Sequence, residues 1–371
     1  NVRWFSVADE TARLLIADAR FDRFALESGS SRMHLVVVGG GSQGDAVAVE
    51  ALLTAWRTGL GPPKITFLDR DVASIEARMR RRMPAWFGHS EAAALYPAVR
   101  PDVEFLDCDA ETVDFARDAC FDGLRERVSG WVFATGDDAL NLRASIGLHR
   151  AIMAGQIDPA PIYIRILTGH LEDAPDLSAN PLGLANIFGS TDNVIARSPI
   201  LAEDPDAVPR TLHAAYRTAE QEMFGRESED WASLPETKRE ANRALFRHAV
   251  MKIEDFGAVA AMRHDGVPVT HPSLAGTLRR VDESLAYDRI DRGLNVDAWL
   301  KEGATLGEGD AETAILIRDA AICEHNRWTM ERALSQFVPT TRPDRALRDD
   351  ARRRHNNMHD WFDLGDSEIR R

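Results

Sequence analysis

The fold class of this chain can be predicted from residues 35–45, Leu35-Val-Val-Val-Gly39-Gly40-Gly41-Ser42-Gln43-Gly44-Asp45. Its apolar residues predict a buried parallel strand, and a Gly-x-Gly-x-x-Gly turn then leads into a helix. Gly39 allows a tight turn, Gly41 lets the backbone approach a pyrophosphate, and Gly44 lets helix and strand pack closely. We therefore predict a dinucleotide-type turn. The alternative is a glycine-rich loop that only packs the helix.

The residues on either side of this turn predict the polar contacts of a nucleotide. Ser42 and Gln43 open the helix, whose free N–H groups and partial positive charge attract phosphate. The next strand ends Ile65-Thr-Phe-Leu-Asp69-Arg70. An acid at the position of Asp69 accepts hydrogen bonds from a ribose diol and favours NAD, ATP, ADP or ADP-ribose over NADP. Arg70 leaves a ligand with a 2′-phosphate as an alternative, because an arginine at this position can also bind that group. For Asp69, the alternative is a strand-end carboxylate that only contacts solvent.

Strand and helix patterns alternate up to about residue 205, which predicts an α/β Rossmann-like, doubly wound parallel sheet. The predicted strands are Leu35–Val38, Ile65–Leu68, Val103–Leu106, Trp131–Ala134, Ile162–Leu167 and Asn193–Ala196. The predicted helices between them are Asp45–Thr58, Val72–Arg82, Ala110–Arg127 and Ala139–Met153. A Gly/Pro/Asn-rich loop, Gly169–Gly183, precedes the sixth strand.

The remainder of the chain reads as helical, so we predict three regions: a connector helix in 1–32, the nucleotide-binding domain in 33–205 and a mostly α-helical domain in 206–371. The predicted helices of the third region are Val208–Phe224, Pro235–Phe256 and Glu312–Leu334. In the first, the apolar spacing of Val2–Phe24 predicts one amphipathic helix. Because the chain begins at Asn1, that helix is either a partner of the next domain or a connector from an upstream segment.

Composition limits the function classes. The chain has 371 residues, of which 44% are hydrophobic, and a formal net charge of −14. An acidic surface repels nucleic acid, so we expect no nucleic-acid partner. Three cysteines without metal-ligand spacing indicate free thiols in a reducing, cytoplasmic compartment and no metal.

Strand ends further along the chain resemble those of the TrkA N-terminal, or RCK, domain, which regulates potassium conductance. Asp109 follows the third strand, Ala134-Thr135-Gly136-Asp137-Asp138-Ala-Leu-Asn141 follows the fourth, and Arg165 lies in the fifth. The resemblance covers about residues 33–200. It implies that Asp109, Thr135, Gly136, Asn141 and Arg165 line the pocket of NAD(H) or another adenine nucleotide. It also implies a homodimer or a larger assembly.

The helical half resembles the RyR domain, named for the ryanodine receptor repeats. Cys323-Glu324-His325-Asn-Arg327-Trp328 matches its Glu-His-x-x-Trp helix, and Trp231-Ala-Ser-Leu-Pro-Glu236 followed by Asn242-Arg243 matches its second motif. A weak internal echo predicts two degenerate repeats. The steps His213-Ala-Ala-Tyr216 and Trp231-Ala-Ser-Leu234 correspond in it to His325-Asn-Arg-Trp328 and Trp361-Phe-Asp-Leu364.

These aromatic and polar residues have two alternative roles. In a second ligand site, the rings of Tyr216, Trp231 and Trp328 would stack on a ring or cation while His325 and Arg327 hydrogen-bond to it. Alternatively, His325 and Trp328 are a core pair. Arg327 lies off the face that they share, so we expect it to contribute less to packing.

Taken together, the residues favour a ligand-sensing regulatory protein over an enzyme. No histidine stands in a recognisable catalytic context, and no hydrolase or metalloprotease motif is present. The RCK resemblance implies the cytosolic regulatory part of a bacterial potassium or other ion channel, tethered by an upstream segment to the inner face of the membrane. The alternatives are an NAD-dependent oxidoreductase and a soluble effector that senses a nucleotide signal.

Overall fold

A computed structural model describes residues 6–87, 95–96, 99–114, 121, 124, 127–167, 185–197, 204, 206–225, 227–255, 260–262, 268–270, 308–340, 352–359 and 361. The chain divides into two units. The first comprises Asn1–Ala55, Gly59–Pro84 and Arg100–Pro205. The second comprises Trp56–Thr58, Ala85–Val99 and Asp206–Arg371.

The described part of the first unit is built on a six-stranded, wholly parallel sheet. Its strands are β1 (Arg32–Val38), β2 (Gly61–Asp69), β3 (Asp102–Asp107), β4 (Gly130–Phe133), β5 (Ile162–Arg165) and β6 (Ala185–Phe188). They lie in the order β3-β2-β1-β4-β5-β6, a Rossmann-like topology. The predicted α/β class and parallel sheet are confirmed.

Strand β1 lies in the middle of the sheet, with β2 and β3 on one side and β4, β5 and β6 on the other. Val36, Trp131, Phe133 and Ile164 are almost completely buried, which explains why the strands read as unbroken apolar runs. The chain order reverses between β1 and β4. Ligands of open α/β sheets bind at the carboxyl ends of the strands at such a switch point.

Helices cover this sheet. They are α1 (Val7–Ala19), α2 (Phe21–Glu27), α3 (Ser42–Thr54), α4 (Val72–Arg82), α6 (Asp138–Met153) and α7 (Thr191–Arg197). A short helix, α5 (Pro84–Phe87), lies mostly in the second unit. Helix α4 has its predicted bounds. Helix α3 begins three residues earlier than predicted and ends at Thr54, and α6 begins one residue earlier. Most of the predicted helix Ala110–Arg127 and the whole loop Gly169–Gly183 lie outside the described residues.

The single helix predicted for Val2–Phe24 is wrong, because the described part contains two helices. Arg20 has φ 48° and lies in the left-handed region, where its amide closes α1 and its side chain binds Asp22 of α2 at 3.0 and 3.2 Å. The change of direction brings Phe21 onto the sheet. Its ring fills the space above Gly130, where a Cβ atom would lie 2.1 Å from the ring, and it meets Tyr163 edge-on.

The sixth strand is also displaced from its predicted position. Residues 193–196 lie in α7, and the strand that pairs with β5 is Ala185–Phe188. Gly189 (φ +85°) ends the strand, and the hydroxyl of Ser190 accepts a hydrogen bond from the amide of Asn193 at 3.3 Å. Val194 is buried, whereas Ile195 is 46% exposed. Only one of these two β-branched residues therefore faces the core, as expected for a helix with one buried face.

The described part of the second unit is mainly helical. It contains α8 (Ala207–Phe224), α9 (Glu236–Asp255) and α10 (Glu308–Leu334). Two short strand pairs accompany them, β7 (Ala260–Met262) with β8 (Pro268–Thr270), and β9 (Val338–Pro339) with β10 (Arg354–His355). The helical class predicted here is confirmed. Across the described residues, no helix is both long and apolar enough to cross a membrane.

Candidate functional site

The glycine turn joins β1 to α3 at the switch point of the sheet. Gly39 has φ +100°, and a Cβ atom there would lie 2.7 Å from the backbone nitrogen of Thr135. A Cβ atom on Gly44 would lie 2.0 Å from the carbonyl oxygen of Gly39. The turn therefore packs against β4 and against its own helix at two points where only glycine fits.

Gly41 differs from these two glycines because it faces open space. Among the described residues, no atom comes within 4 Å of the position that a Cβ atom on Gly41 would take. Gly41 is also the N-cap of α3, and no side chain in the described part of the chain caps this helix. By contrast, side chains of Ser6, Asp71 and Asp137 cap α1, α4 and α6. The first-turn amides of α3 are thus left for another acceptor.

Ser42 and Gln43 occupy the first turn of α3 with opposite orientations. Ser42 is exposed, whereas Gln43 is 1% exposed and its side chain donates to the carbonyl of Ala8 in α1 at 3.1 Å. Gln43 was predicted as a ligand contact. The structure directs its side chain inward, so only its backbone amide is placed for that role.

Asp69 is the last residue of β2 and is hydrogen-bonded to the glycine turn. Its Oδ2 accepts from the amide of Gly40 at 2.8 Å, and its Oδ1 accepts from the amide of Asp71 at 2.9 Å. A carboxylate offers about four acceptor positions. Two therefore stay available for a ribose diol, and the carboxylate orients the turn as well. Arg70, the next residue, is exposed.

Thr135 and Asn141 connect the ends of β4 and β5. The Asn141 Oδ1 accepts from the amide and the hydroxyl of Thr135 at 2.9 and 2.6 Å, and its Nδ2 donates to the carbonyl of Arg165 at 3.0 Å. Asn141 is fully buried, so it holds Thr135 in place and does not itself face the crevice. A Cβ atom on Gly136 would have no described atom within 4 Å, so this residue leaves the crevice open.

Arg165 is the half-buried cation at the end of β5. Its Nε is buried and has no hydrogen-bond partner among the described residues. Burial lowers the pKa of its guanidinium, and the charge of Asp138 opposes that shift. A buried donor without an acceptor is costly, so Arg165 is well suited to bind an anionic or carbonyl group of a ligand.

The remaining predicted residue, Asp109, lies after β3. Its Oδ1 accepts from the amide of Glu111 at 2.9 Å, and the side chain is partly exposed. Asp107, also at this end of the sheet, is exposed. Carboxylates therefore predominate along the carboxyl edge of the sheet. Within the described residues, no group of three or more His, Cys, Asp or Glu side chains could hold a metal ion.

Sequence reasoning missed Arg78 and Asp45, which contact the turn. The Arg78 guanidinium binds both carboxylate oxygens of Asp45 at 2.8 and 2.9 Å and also donates to the carbonyl of Gly40. The hydrogen bond to Asp45 raises the pKa of Arg78. Residues 33 positions apart carry no local signal of pairing. The only hint was a basic helix after an acidic strand end.

In the second unit, the two echoed sequence steps have the same local geometry. His213 donates to the carbonyl of Glu229 at 2.9 Å and meets Trp231 with ring centroids 5.9 Å apart. His325 binds the carbonyl of His359 at 2.8 Å and meets Trp361 at 5.8 Å. In each case the carbonyl lies two residues before the tryptophan. The remainder of the second step, residues 362–364, is outside the described residues.

The predicted second ligand residues fall into two separate groups. His325 stacks with Tyr96 and Trp328, whereas Trp231 packs on His213. Tyr216 is 44% exposed and its hydroxyl binds Glu220 at 2.6 Å. The ring contacts and the filled hydrogen bond of His325 favour its core alternative.

The expectation that Arg327 contributes little to packing is wrong. Its side chain is 2% exposed, and it binds Glu324 at 2.8 Å and Glu331 at 3.2 Å within α10. The helix face beside the His325–Trp328 face is itself buried, because it meets α9. The pattern of α10 alone did not show that a second helix covers this face.

A buried charge cluster occupies the region between α9 and α10. It comprises His248, Lys252, Glu324 and Arg327. His248 is fully buried, with one ring nitrogen 2.5 Å from the carbonyl of Trp56 and the other 3.2 Å from Glu324. Burial lowers the pKa of His248 and of Lys252. Although burial opposes it, the neighbouring cations, Arg327 first, hold the pKa of Glu324 well below its ordinary value.

No protein-family model, curated protein or solved structure matches this chain. The candidate site at the carboxyl edge of the sheet is therefore described from the contacts of this chain alone.

Proposed function

We propose that the first unit binds an adenine nucleotide of the NAD, ATP or ADP-ribose class at the carboxyl edge of its sheet. The observation that carries this proposal is the uncapped start of α3. At the switch point, Gly41 leaves room beside amides that no described side chain caps. A pyrophosphate supplies the acceptors that such a helix start lacks.

Two side chains flanking the turn support the same ligand class. Asp69 has acceptor positions left for a ribose diol, and its negative charge disfavours a 2′-phosphate. Arg165 offers an unsatisfied buried donor on the β4–β5 side. These two groups lie on opposite sides of β1 and β4, as the two ends of a dinucleotide require.

We further propose that the ligand is sensed and not consumed. His34 of the first unit supports this proposal, because it is completely buried within the sheet, where its ring binds Thr66 at 2.9 Å. A histidine in that position is not placed to act as an acid or base on a ligand. By resemblance to RCK domains, the protein is a homo-oligomeric regulatory part of an ion channel, tethered to the membrane by an upstream segment. The RyR-like unit would then transmit the change.

Titration calorimetry of the parent chain with NADH, ATP and ADP-ribose tests the binding proposal. We expect one saturable site for at least one of these ligands, and no steady oxidation of NADH with small carbonyl substrates. Absence of binding by all three nucleotides would contradict the proposal. Turnover of NADH would replace it with the oxidoreductase alternative.

Sedimentation velocity at micromolar concentration tests the assembly proposal. We expect at least a dimer, because gating of a channel needs subunits that move against one another. A monomer of 41.2 kDa, with or without nucleotide, would contradict a gating role and leave the soluble effector alternative.

A further inference from the structure

Arg78 of α4 contacts both parts of the phosphate-binding turn. Its Nε lies 2.8 Å from Asp45 Oδ2, and one terminal nitrogen lies 2.9 Å from Asp45 Oδ1. The same terminal nitrogen donates to the carbonyl of Gly40. One guanidinium therefore joins the loop before α3 to the first turn of α3. Bidentate arginine–carboxylate pairs of this kind fix geometry as well as charge.

The pairing solves an electrostatic problem at the start of α3. Asp45 is in the first turn and its side chain is only 10% exposed. A carboxylate there stabilises the helix through the macrodipole, but it also repels any anion that approaches the same amides. Asp69 and Asp71 add further negative charge beside the turn. Arg78 offsets the charge of Asp45 where a pyrophosphate would bind.

We propose that Arg78 is a positioning residue of the nucleotide site, acting through Asp45 and Gly40 to make the start of α3 acceptable to the pyrophosphate of the ligand. The inference rests on the proposed nucleotide-binding function and specifies the ligand further: it is a pyrophosphate-bearing nucleotide, not a nucleoside. Arg78 contacts the turn from the protein side, so its effect reaches the ligand through the turn.

The test uses Arg78→Gln, the double variant Arg78→Gln/Asp45→Asn, and Arg80→Gln as the matched control. Arg80 lies on the same helix and pairs with Glu76 at 2.6 Å. Calorimetry measures ADP-ribose affinity, and adenosine is measured as a competitor. We expect Arg78→Gln to weaken ADP-ribose by about tenfold or more, because an unneutralised carboxylate then faces the phosphates. Adenosine affinity and the Arg80→Gln control should stay within about twofold of the parent, since neither involves charge at this helix start.

The double variant separates positioning from a merely structural role. Removing the charge of Asp45 should restore most of the lost ADP-ribose affinity even though Arg78 is still absent. Failure of that rescue would overturn the inference, as would equal losses for adenosine and ADP-ribose. Should Arg78→Gln not fold, the double variant and Arg78→Lys decide, because neither leaves the charge of Asp45 unneutralised. Both should bind ADP-ribose within about threefold of the parent, and a loss of about tenfold in either would overturn the inference. If the parent chain binds no adenine nucleotide at all, the proposed function itself fails, which is a distinguishable result.

Discussion

The two units treat their polar groups in opposite ways. At the edge of the sheet, the amides at the start of α3 and the Nε of Arg165 have no acceptor among the described residues. In the helical unit, the carboxylate of Glu324 pairs with both Lys252 and Arg327. The first arrangement leaves donors for a ligand. The second uses its polar groups to hold helices together.

This difference shows why a charged or aromatic motif does not by itself indicate a binding site. His325, Arg327 and Trp328 have the residue types of a ligand pocket, yet their ring contacts and ion pairs are made within the unit. The glycine turn contains few polar side chains, but it leaves backbone donors unmatched. Unmatched donors are the better evidence of a ligand, because native proteins rarely leave buried donors unpaired.

The largest expected effect is on the stability of the helical unit. Arg327→Ala should lower the free energy of unfolding by about 3–5 kcal/mol, because it removes a buried guanidinium that pairs with both Glu324 and Glu331. Urea denaturation followed by circular dichroism measures it. Lys238→Ala, which breaks an exposed pair with Glu229, is the control and should change stability by less than about 1 kcal/mol. Comparable small losses in both variants would show that the cluster does not hold the unit together.

The next effect separates the packed glycines of the turn from the open one. Gly44→Ala should lower both stability, by about 1–3 kcal/mol, and nucleotide affinity, because the new Cβ atom overlaps the carbonyl of Gly39. Gly41→Ala should cost less than about 1 kcal/mol of stability while still weakening ADP-ribose binding, since its Cβ atom points into the open space. Thermal melting and calorimetry measure the two quantities. Unchanged binding by Gly41→Ala would place the ligand elsewhere.

A smaller effect concerns the ribose contact that we propose for Asp69. Asp69→Asn should weaken adenine-nucleotide binding by about 1–3 kcal/mol, because an amide supplies fewer acceptors for the diol and for the Gly40 amide. Calorimetry compares ADP-ribose with its 2′-phosphorylated form. The variant should lose discrimination against the 2′-phosphate. If Asp69→Asn still discriminates against the 2′-phosphate, another residue is responsible for that selectivity. Asp107→Asn, at the end of the neighbouring strand β3, is the control.

The smallest effect is the pH dependence of the helical unit. The pKa of His248 lies below its ordinary value of 6.5, so its contribution to stability is present above pH 6.5 and is lost as the pH falls below it, when the unfolded chain gains the proton. The pKa of Glu324 is also lowered from 4.5, so its contribution is lost at still lower pH. Stability should therefore rise with pH between these values. Urea midpoints across this range measure the slope.

The variant His248→Gln provides the control for that slope. It should flatten the upper part of the dependence, near the ordinary pKa of histidine, and leave the acidic part set by Glu324. A slope that His248→Gln does not alter would assign the upper part to another group.

Most of the fold could be predicted because the signals were local. Unbroken apolar runs identified β1 to β5, and the turn Gly39–Gly44 identified the start of α3. One error arose where a long-range contact overrode periodicity, and the other where a local hydrogen bond at a helix start did. Phe21 turns away from the line of α1 to fill the space above Gly130, and Ser190 starts a helix where an apolar pair suggested a strand. A sequence does not show which cavity an aromatic ring will fill.

The candidate site could be predicted only in its backbone part. The glycines and Asp69 follow from the strand–turn–helix pattern, because their roles depend on neighbours in sequence. Arg78 and Asp45 are joined across two helices, and Asn141 turns inward to connect two strand ends. Such partnerships depend on how the elements pack, so no spacing rule predicts them.

The hydrogen bond from the Gln43 side chain to the carbonyl of Ala8 couples the first turn of α3 to the start of α1. A second tie, the ion pair of Asp18 with Arg197 at 2.6 Å, secures the other end of α1 to α7. A force on the chain before α1 would thus act first on the uncapped start of α3, where we propose that phosphates bind. If α1 moves, either the hydrogen bond between Gln43 and Ala8 breaks or the first-turn amides of α3 move with α1.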